Sequence, residues 1–186
     1  DIAARDYDWD SGELAQVPRD KRLILVTAHR RENFGAPLER ICAALRKLAV
    51  LFPDVQLVYP VHLNPNVQRV VQQSLQGLPN LTLLPPLEYL PLVQLLRQAT
   101  LVLTDSGGLQ KEAYFFKKFC VIMREQTEWV ELVTNNCGKL AGCDENKIIN
   151  TVLGFLQESF PLCSGLYGDG TAGDKIISIL DRKAFD

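Results

Sequence analysis

The sequence predicts an α/β fold: a single parallel, doubly wound sheet with helices packed on both faces. Three observations carry this. Short apolar runs alternate with segments of helical spacing from Leu23 to the end of the chain. The runs are continuous rather than alternating, as expected of strands buried on both faces. One run, Ala99-Thr100-Leu101-Val102-Leu103, leads straight into Thr104-Asp105-Ser106-Gly107-Gly108, a glycine-rich turn that opens a helix.

Taken in order, residues 1–20 are polar and irregular and read as an entry segment or linker, with Trp9 available to pin it to the surface. Leu23–Thr27 is a first strand, and Pro37–Phe52 a helix whose apolar positions Leu38, Ile41, Leu45 and Leu48 share one face. Val55–Tyr59 is a second strand and Asn66–Leu75 a second helix. Leu81–Leu83 is a third strand, and Pro91–Gln98 a helix with Leu92, Leu95 and Leu96 on one side. Leu101–Thr104 and Cys120–Met123 flank a helix from Gly108 to Phe116. Leu140–Ala141 is a weak sixth strand. Helices over Asn146–Glu158 and Gly173–Leu180 complete the reading.

With 186 residues, 47% of them hydrophobic and 23% charged, the chain can bury one good core. A net charge of -2 gives no global reason to bind nucleic acid or an anionic membrane. No apolar run approaches the ~20 residues that span a bilayer. The opening Asp-Ile-Ala-Ala-Arg-Asp has no basic segment followed by an apolar one, so no signal peptide is expected. Five cysteines (Cys42, Cys120, Cys137, Cys143 and Cys163) form no Cys-x-x-Cys pair, and their odd number argues against a disulfide framework or a zinc site. Cys42 and Cys120 read as small buried hydrophobes, and a reduced, cytoplasmic setting is expected.

In doubly wound sheets ligands bind beyond the carboxyl ends of the strands, so the residues following each strand are the candidates. The turn at Ser106, Gly107 and Gly108 points unpaired amides toward an anion at the start of a helix. Glu112, deeper in that helix, is placed to meet a sugar hydroxyl rather than a phosphate. This combination suggests a nucleotide diphosphate. After the first strand come His29, Arg30 and Arg31, a cationic cluster with a titratable group, or simply surface charge on a loop. His62 follows the second strand, where Asn64 or Asn66 could cap the next helix and His62 be a satisfied turn residue. Arg124 follows the fifth strand and faces either a phosphate or Glu128. Two histidines on separate strand ends are too few for a metal site, and no metal or other cofactor is expected. The tail motif Tyr167-Gly168-Asp169-Gly170-Thr171-Ala172 is a turn that starts the last helix.

Several motifs occur in one order: Ile24-Leu25-Val26-Thr27-Ala28-His29-Arg30-Arg31-Glu32-Asn33, Tyr59-Pro60-Val61-His62-Leu63-Asn64-Pro65-Asn66-Val67, Glu88-Tyr89-Leu90-Pro91, Asp105-Ser106-Gly107-Gly108-Leu109-Gln110 and Tyr167-Gly168-Asp169-Gly170. Together they resemble the carboxyl-terminal half of non-hydrolysing UDP-N-acetylglucosamine 2-epimerases, from about Lys21 to the end. The resemblance implies a Rossmann-like domain over residues 21–186, the carboxyl-terminal half of a GT-B architecture whose amino-terminal catalytic domain is absent from this chain. It implies that Ser106, Gly107 and Gly108 contact the diphosphate of a UDP-sugar, Glu112 the ribose, and Leu87 and Leu92 the uracil region. By the same resemblance Arg30 and Arg124 belong to the nucleotide site, His29 is catalytic, and His62 faces the interdomain cleft, where some members bind an activating UDP-sugar.

The family reaction inverts C2 by eliminating UDP across C1–C2 and adding it back. Its members commonly dimerise, so a second copy is an expected partner. The chain alone is expected to be inactive. Two other functions fit a UDP-sugar site: the donor domain of a GT-B glycosyltransferase and a non-catalytic UDP-sugar-binding module. The chain also departs from the family. Tyr114-Phe115-Phe116-Lys117-Lys118-Phe119 replaces a stretch that often runs through Gly-Lys-Pro, with Phe119 in the proline's place, and Leu92 replaces a common aromatic.

Overall fold

The computed structural model describes residues 2–161 and 165–183; Cys163 lies outside them. Among the described residues six strands form one sheet: β1 (Arg22–Thr27), β2 (Val55–Pro60), β3 (Leu81–Leu84), β4 (Ala99–Thr104), β5 (Phe119–Ile122) and β6 (Gly138–Leu140). Their order is β3-β2-β1-β4-β5-β6 and every neighbouring pair is parallel. The helices are α1 (Ala36–Leu51), α2 (Pro65–Leu75), α3 (Tyr89–Gln98), α4 (Gly107–Phe115), α5 (Val130–Thr134), α6 (Glu145–Gln157) and α7 (Ala172–Lys183). The predicted α/β class is what forms, with element ends displaced by at most three residues. The five-residue α5 has no apolar period long enough to read from sequence.

Strand geometry sorts the core into two layers, because successive side chains on a strand point to opposite faces. Ile24 and Val26 of β1 join Leu57 and Tyr59 of β2 and Leu101 and Leu103 of β4 beneath α1, α2 and α6. Their neighbours Leu23, Leu25, Val58 and Val102 face the other way, toward Leu95 and Leu96 of α3 and Leu109 and Ala113 of α4. The first twenty residues are irregular, as read, but they do more than lead in. Trp9, Leu14 and Val17 are buried in this second layer. No periodicity announces them, since only tertiary packing selects these three among polar neighbours.

The chain order reverses between β1 and β4, leaving a crevice at their carboxyl ends. It is held by side chains as well as by the ladder. Thr27 Oγ1 and Thr104 Oγ1 share a hydrogen bond of 2.6 Å, and Thr104 Oγ1 also accepts from the Ser106 amide at 2.9 Å.

The unusual stretch before β5 is accommodated by a helix stop. Lys118 N donates to Ala113 O at 2.8 Å and Lys117 N to Tyr114 O at 2.9 Å, closing α4 with the paired bonds of a Schellman motif. This places Lys117 at φ 55°, a left-handed backbone that suits glycine. The glycine of the family's Gly-Lys-Pro falls at this position. Lys117→Gly is therefore expected to raise stability by about 1 kcal/mol, read as a higher thermal midpoint; a lower midpoint would contradict the strain.

Cys42, Cys120 and Cys137 are buried, and the thiols of Cys42, Cys120 and Cys143 are free. Burial pushes the Cys42 thiol up to about 12 and raises Cys120 further. No helix among the described residues is long and apolar enough to cross a membrane. The last helix, α7, carries Ile176, Ile177, Ile179 and Leu180 exposed, outside both core layers.

Candidate active site

A pocket of about 300 Å³ opens where the crevice meets the carboxyl ends of β1, β2 and β4. It is lined by Thr27, His29, Pro60, His62, Pro86, Leu87, Tyr89, Leu92, Ser106, Gly108, Leu109 and Glu112. Seven of the residues singled out from sequence thus meet in one cavity: His29, His62, Leu87, Leu92, Ser106, Gly108 and Glu112. Four do not line it: Arg30, Arg31, Gly107 and Arg124.

The floor is the start of α4. Ser106 is its N-cap, yet its hydroxyl makes no capping bond. The first-turn amides have no partner within the helix by construction, so this end favours negative charge. The two glycines there do different work. A side chain on Gly108 would meet only Ser106 Oγ, at 3.9 Å, which leaves that backbone open to a ligand. A Cβ on Gly107 would press on Trp129 Nε1 at 3.3 Å and Glu128 Oε2 at 3.4 Å. Gly107 therefore admits the Trp129 ring and Glu128 carboxylate, a packing role that sequence spacing does not reveal.

One turn further, Glu112 Oε1 accepts from the Tyr89 hydroxyl at 3.1 Å. Burial, and then the neighbouring carboxylate, raise the Tyr89 hydroxyl above its ordinary value. Tyr89 belongs to the Glu88-Tyr89-Leu90-Pro91 motif but was not itself read as a site residue; its place at the start of α3 was the available signal. Leu87 and Leu92 give the pocket an aliphatic wall.

The two histidines stack, with ring centroids 5.4 Å apart and planes 8° from parallel. His62 Nδ1 accepts from the Asn64 amide at 3.1 Å, while Asn64 Oδ1 caps α2 through the Asn66 amide at 2.9 Å. Asn64 is the cap, and His62 is a satisfied turn residue that also walls the pocket. The loop carrying His29 is anchored by Asp105, fully buried at the end of β4. Asp105 Oδ2 accepts from His29 N and Arg30 N, each at 2.8 Å, and from Asn33 Nδ2 at 3.0 Å. Asp105 was not read as a site residue from sequence, although a charged residue closing an apolar strand is an audible signal.

Arg124 takes the carboxylate-paired alternative. Its Nε donates to Glu32 at 2.8 Å and its Nη1 to Glu128 at 2.9 and 3.0 Å. It lines a neighbouring hollow with Glu32, Asn33, Arg40 and Glu125. Arg30 lies near the same corner, its Nη2 3.8 Å from where a Gly107 side chain would start. The Glu128 carboxyl is held below its ordinary value of 4.5 by its own backbone amide and then by Arg124. A depressed value stabilises the fold above the unfolded value and loses that contribution as pH falls through the folded one. Glu128→Gln is thus expected to cost under about 1 kcal/mol at neutral pH, because the carboxylate is half exposed. The gap to the parent should close as pH drops below 4.5, read by urea unfolding at several pH values; a gap independent of pH would refute the pairing.

The tail motif folds as a turn ahead of α7. Asp169 Oδ1 accepts from Thr171 N at 3.0 Å and Thr171 Oγ1 at 2.6 Å at the start of α7. Tyr167 packs edge-on against Trp129 and Tyr114, and Lys111 Nζ lies 4.1 Å from the Trp129 ring centroid. These contacts close the side of α4 remote from the pocket. No group of three His, Cys, Asp or Glu side chains among the described residues is placed to hold a metal ion.

A family model described as UDP-N-acetylglucosamine 2-epimerase matches residues 3–181. The chain belongs to this family. The resemblance drawn from the motifs is borne out over nearly the whole sequence. The UDP-N-acetylglucosamine 2-epimerase of Yersinia pestis is 45% identical over 171 residues, covering 89% of this chain and 46% of the relative. That of Escherichia coli strain K12 is 44% identical over 169 residues, 88% of this chain and 45% of the relative.

Among solved structures, the Neisseria meningitidis UDP-GlcNAc 2-epimerase bound to UDP-GlcNAc superposes with a TM-score of 0.81 at 34% identity, over 89% of this chain and 46% of that one. The Methanocaldococcus jannaschii UDP-GlcNAc 2-epimerase, in complex with UDP-GlcNAc and UDP, gives 0.81 at 26% identity over 97% and 50%. The Rossmann-like fold of the family is thus present here. The chain spans about half the length of the relatives it matches.

Proposed function

We propose that this chain is the nucleotide-holding, carboxyl-terminal half of a UDP-N-acetylglucosamine 2-epimerase of GT-B architecture. Paired with an amino-terminal catalytic domain, it would interconvert UDP-GlcNAc and UDP-ManNAc, or a related UDP-amino sugar. The observation that carries the reading is the convergence of His29, His62, Ser106, Gly108 and Glu112 on one pocket at the sheet's switch point in a member of this family. Solved relatives described as bound to UDP-GlcNAc or UDP support a UDP-sugar as the ligand. We place the diphosphate at Ser106 and the open Gly108 backbone, where helix amides stabilise negative charge. Glu112 then accepts from ribose hydroxyls, in competition with Tyr89, and Leu87 and Leu92 pack on the base.

The chemistry asks this half to stabilise UDP as it leaves C1 and to keep it bound until it adds back. Donors held in place before the reaction do this without reorganising. In this assignment His29, at the mouth of β1, serves the leaving phosphate. Arg124 reaches it only by releasing Glu128. The partner domain handles the C2 proton, so the chain alone is inactive, works in the cytoplasm and pairs with a second copy in the assembled enzyme.

The test is reconstitution. The chain, joined to the amino-terminal half of the Escherichia coli relative, is expected to convert UDP-GlcNAc to UDP-ManNAc, with His29→Gln slower by the ~10²–10⁴-fold typical of a lost acid–base group. Release of UDP and free sugar alone would mark a hydrolysing enzyme. Transfer to an added acceptor would mark a glycosyltransferase, and binding without turnover a non-catalytic module.

A further inference from the structure

We propose that Asp105 is a positioning residue that fixes which nitrogen of His29 carries the proton, and so which one faces the pocket. The inference rests on the assignment of His29 to the reacting end of the nucleotide.

The two oxygens of this buried carboxylate differ. Oδ2 is saturated by the His29 amide, the Arg30 amide and Asn33 Nδ2. Those bonds alone account for the loop's shape. Oδ1 is buried and has no hydrogen-bond partner among the described residues. A buried polar atom left so is uncommon and asks for an explanation. The His29 ring lies beside it, with Nδ1 3.5 Å away. A slight ring rotation completes an Nδ1–H to Oδ1 hydrogen bond. One carboxylate would then hold both the backbone and the ring of the same histidine.

The consequence is a tautomer. With its proton on Nδ1, neutral His29 presents a bare Nε2 to the pocket, and the nitrogen remote from a carboxylate is the one free to react. The stacked His62 is set the opposite way. Its Nδ1 already accepts from the Asn64 amide, so its proton sits on Nε2. The pocket wall therefore offers an acceptor from His29 beside a donor from His62. His29 takes a proton at Nε2 before it can give one, and the leaving phosphate meets a donor there only after that step.

Only two histidines occur in the chain, so long-range ¹H–¹⁵N spectra of the intact 186-residue protein resolve both rings. Recorded at a pH where both are neutral, they should show one Nδ1–H ring and one Nε2–H ring, the latter lost in His62→Gln. In Asp105→Asn the side-chain oxygen still accepts from the two amides, while its NH₂ group takes the place of Oδ1 and can only donate. His29 is then expected to switch from mostly Nδ1–H to mostly Nε2–H. An Nε2–H His29 in the parent protein overturns the proposal, as does an unchanged tautomer in folded Asp105→Asn. The parent spectrum decides the matter even if the variant fails to fold. UDP titration of the same sample keeps the two readings apart: absent binding with an Nδ1–H His29 sinks the nucleotide-site assignment and leaves the tautomer standing, and the converse result does the opposite.

Discussion

Asp105→Ala is expected to lower stability by about 2–4 kcal/mol and to loosen the loop between β1 and α1. The carboxylate is fully buried and its Oδ2 accepts three hydrogen bonds. Bonds to a charged acceptor are worth about 1.5–3 kcal/mol each, and buried donors stripped of one keep their desolvation cost. Two partners are backbone amides with no alternative among the described residues, whereas Asn33 Nδ2 retains Met123 O at 3.2 Å. The gain from removing a buried charge offsets part of the loss. Chemical denaturation measures the effect, and amide hydrogen exchange locates it at His29 and Arg30. Asp105→Asn, which keeps an acceptor, should cost less than half as much. Equal costs for the two variants would mean that the charge, not the acceptor, holds the loop.

Phe119→Ala should cost about 3–5 kcal/mol, the range for emptying a buried aromatic site. Phe119 opens β5 and is 5% exposed. Its ring stacks on Phe155 of α6 with centroids 4.2 Å apart and planes 7° from parallel, and lies 5.3 Å from Phe160. The residue that departs from the family's proline thus bridges the sheet and α6. Phe119→Pro tests the same point from the other side. It removes the same packing, so it should be nearly as destabilising although it restores the family residue. A mild effect of either change on the urea midpoint would mean that the ring stack is dispensable.

The parts of the fold legible in the sequence are those set by local physics. β1, β2 and β4 are apolar runs ending at Pro, Gly or a charged turn, and their carboxyl ends collect the residues that line the pocket. What escaped needs long-range contacts. Arg124 has Glu128 four residues away in sequence, but Glu32 reaches it from the distant segment between β1 and α1. Gly107 looks like its neighbour Gly108 until Trp129 and Glu128 are seen packed over it. The burial of Trp9, Leu14 and Val17 follows from the groove they fill rather than from any pattern of their own. Lys117 shows the opposite case: the left-handed turn was hidden by a lysine where a glycine would have declared it.

On this reading the start of α4 and Glu112 bind a uridine nucleotide. Calorimetric titration of the chain with UDP tests it most directly, repeated with Glu112→Ala. Saturable binding is expected at millimolar concentration or below, weakened by about 1.5 kcal/mol or more in the variant, the scale of a lost hydrogen bond to a charged group. No binding at millimolar UDP, or binding indifferent to Glu112→Ala, would contradict it.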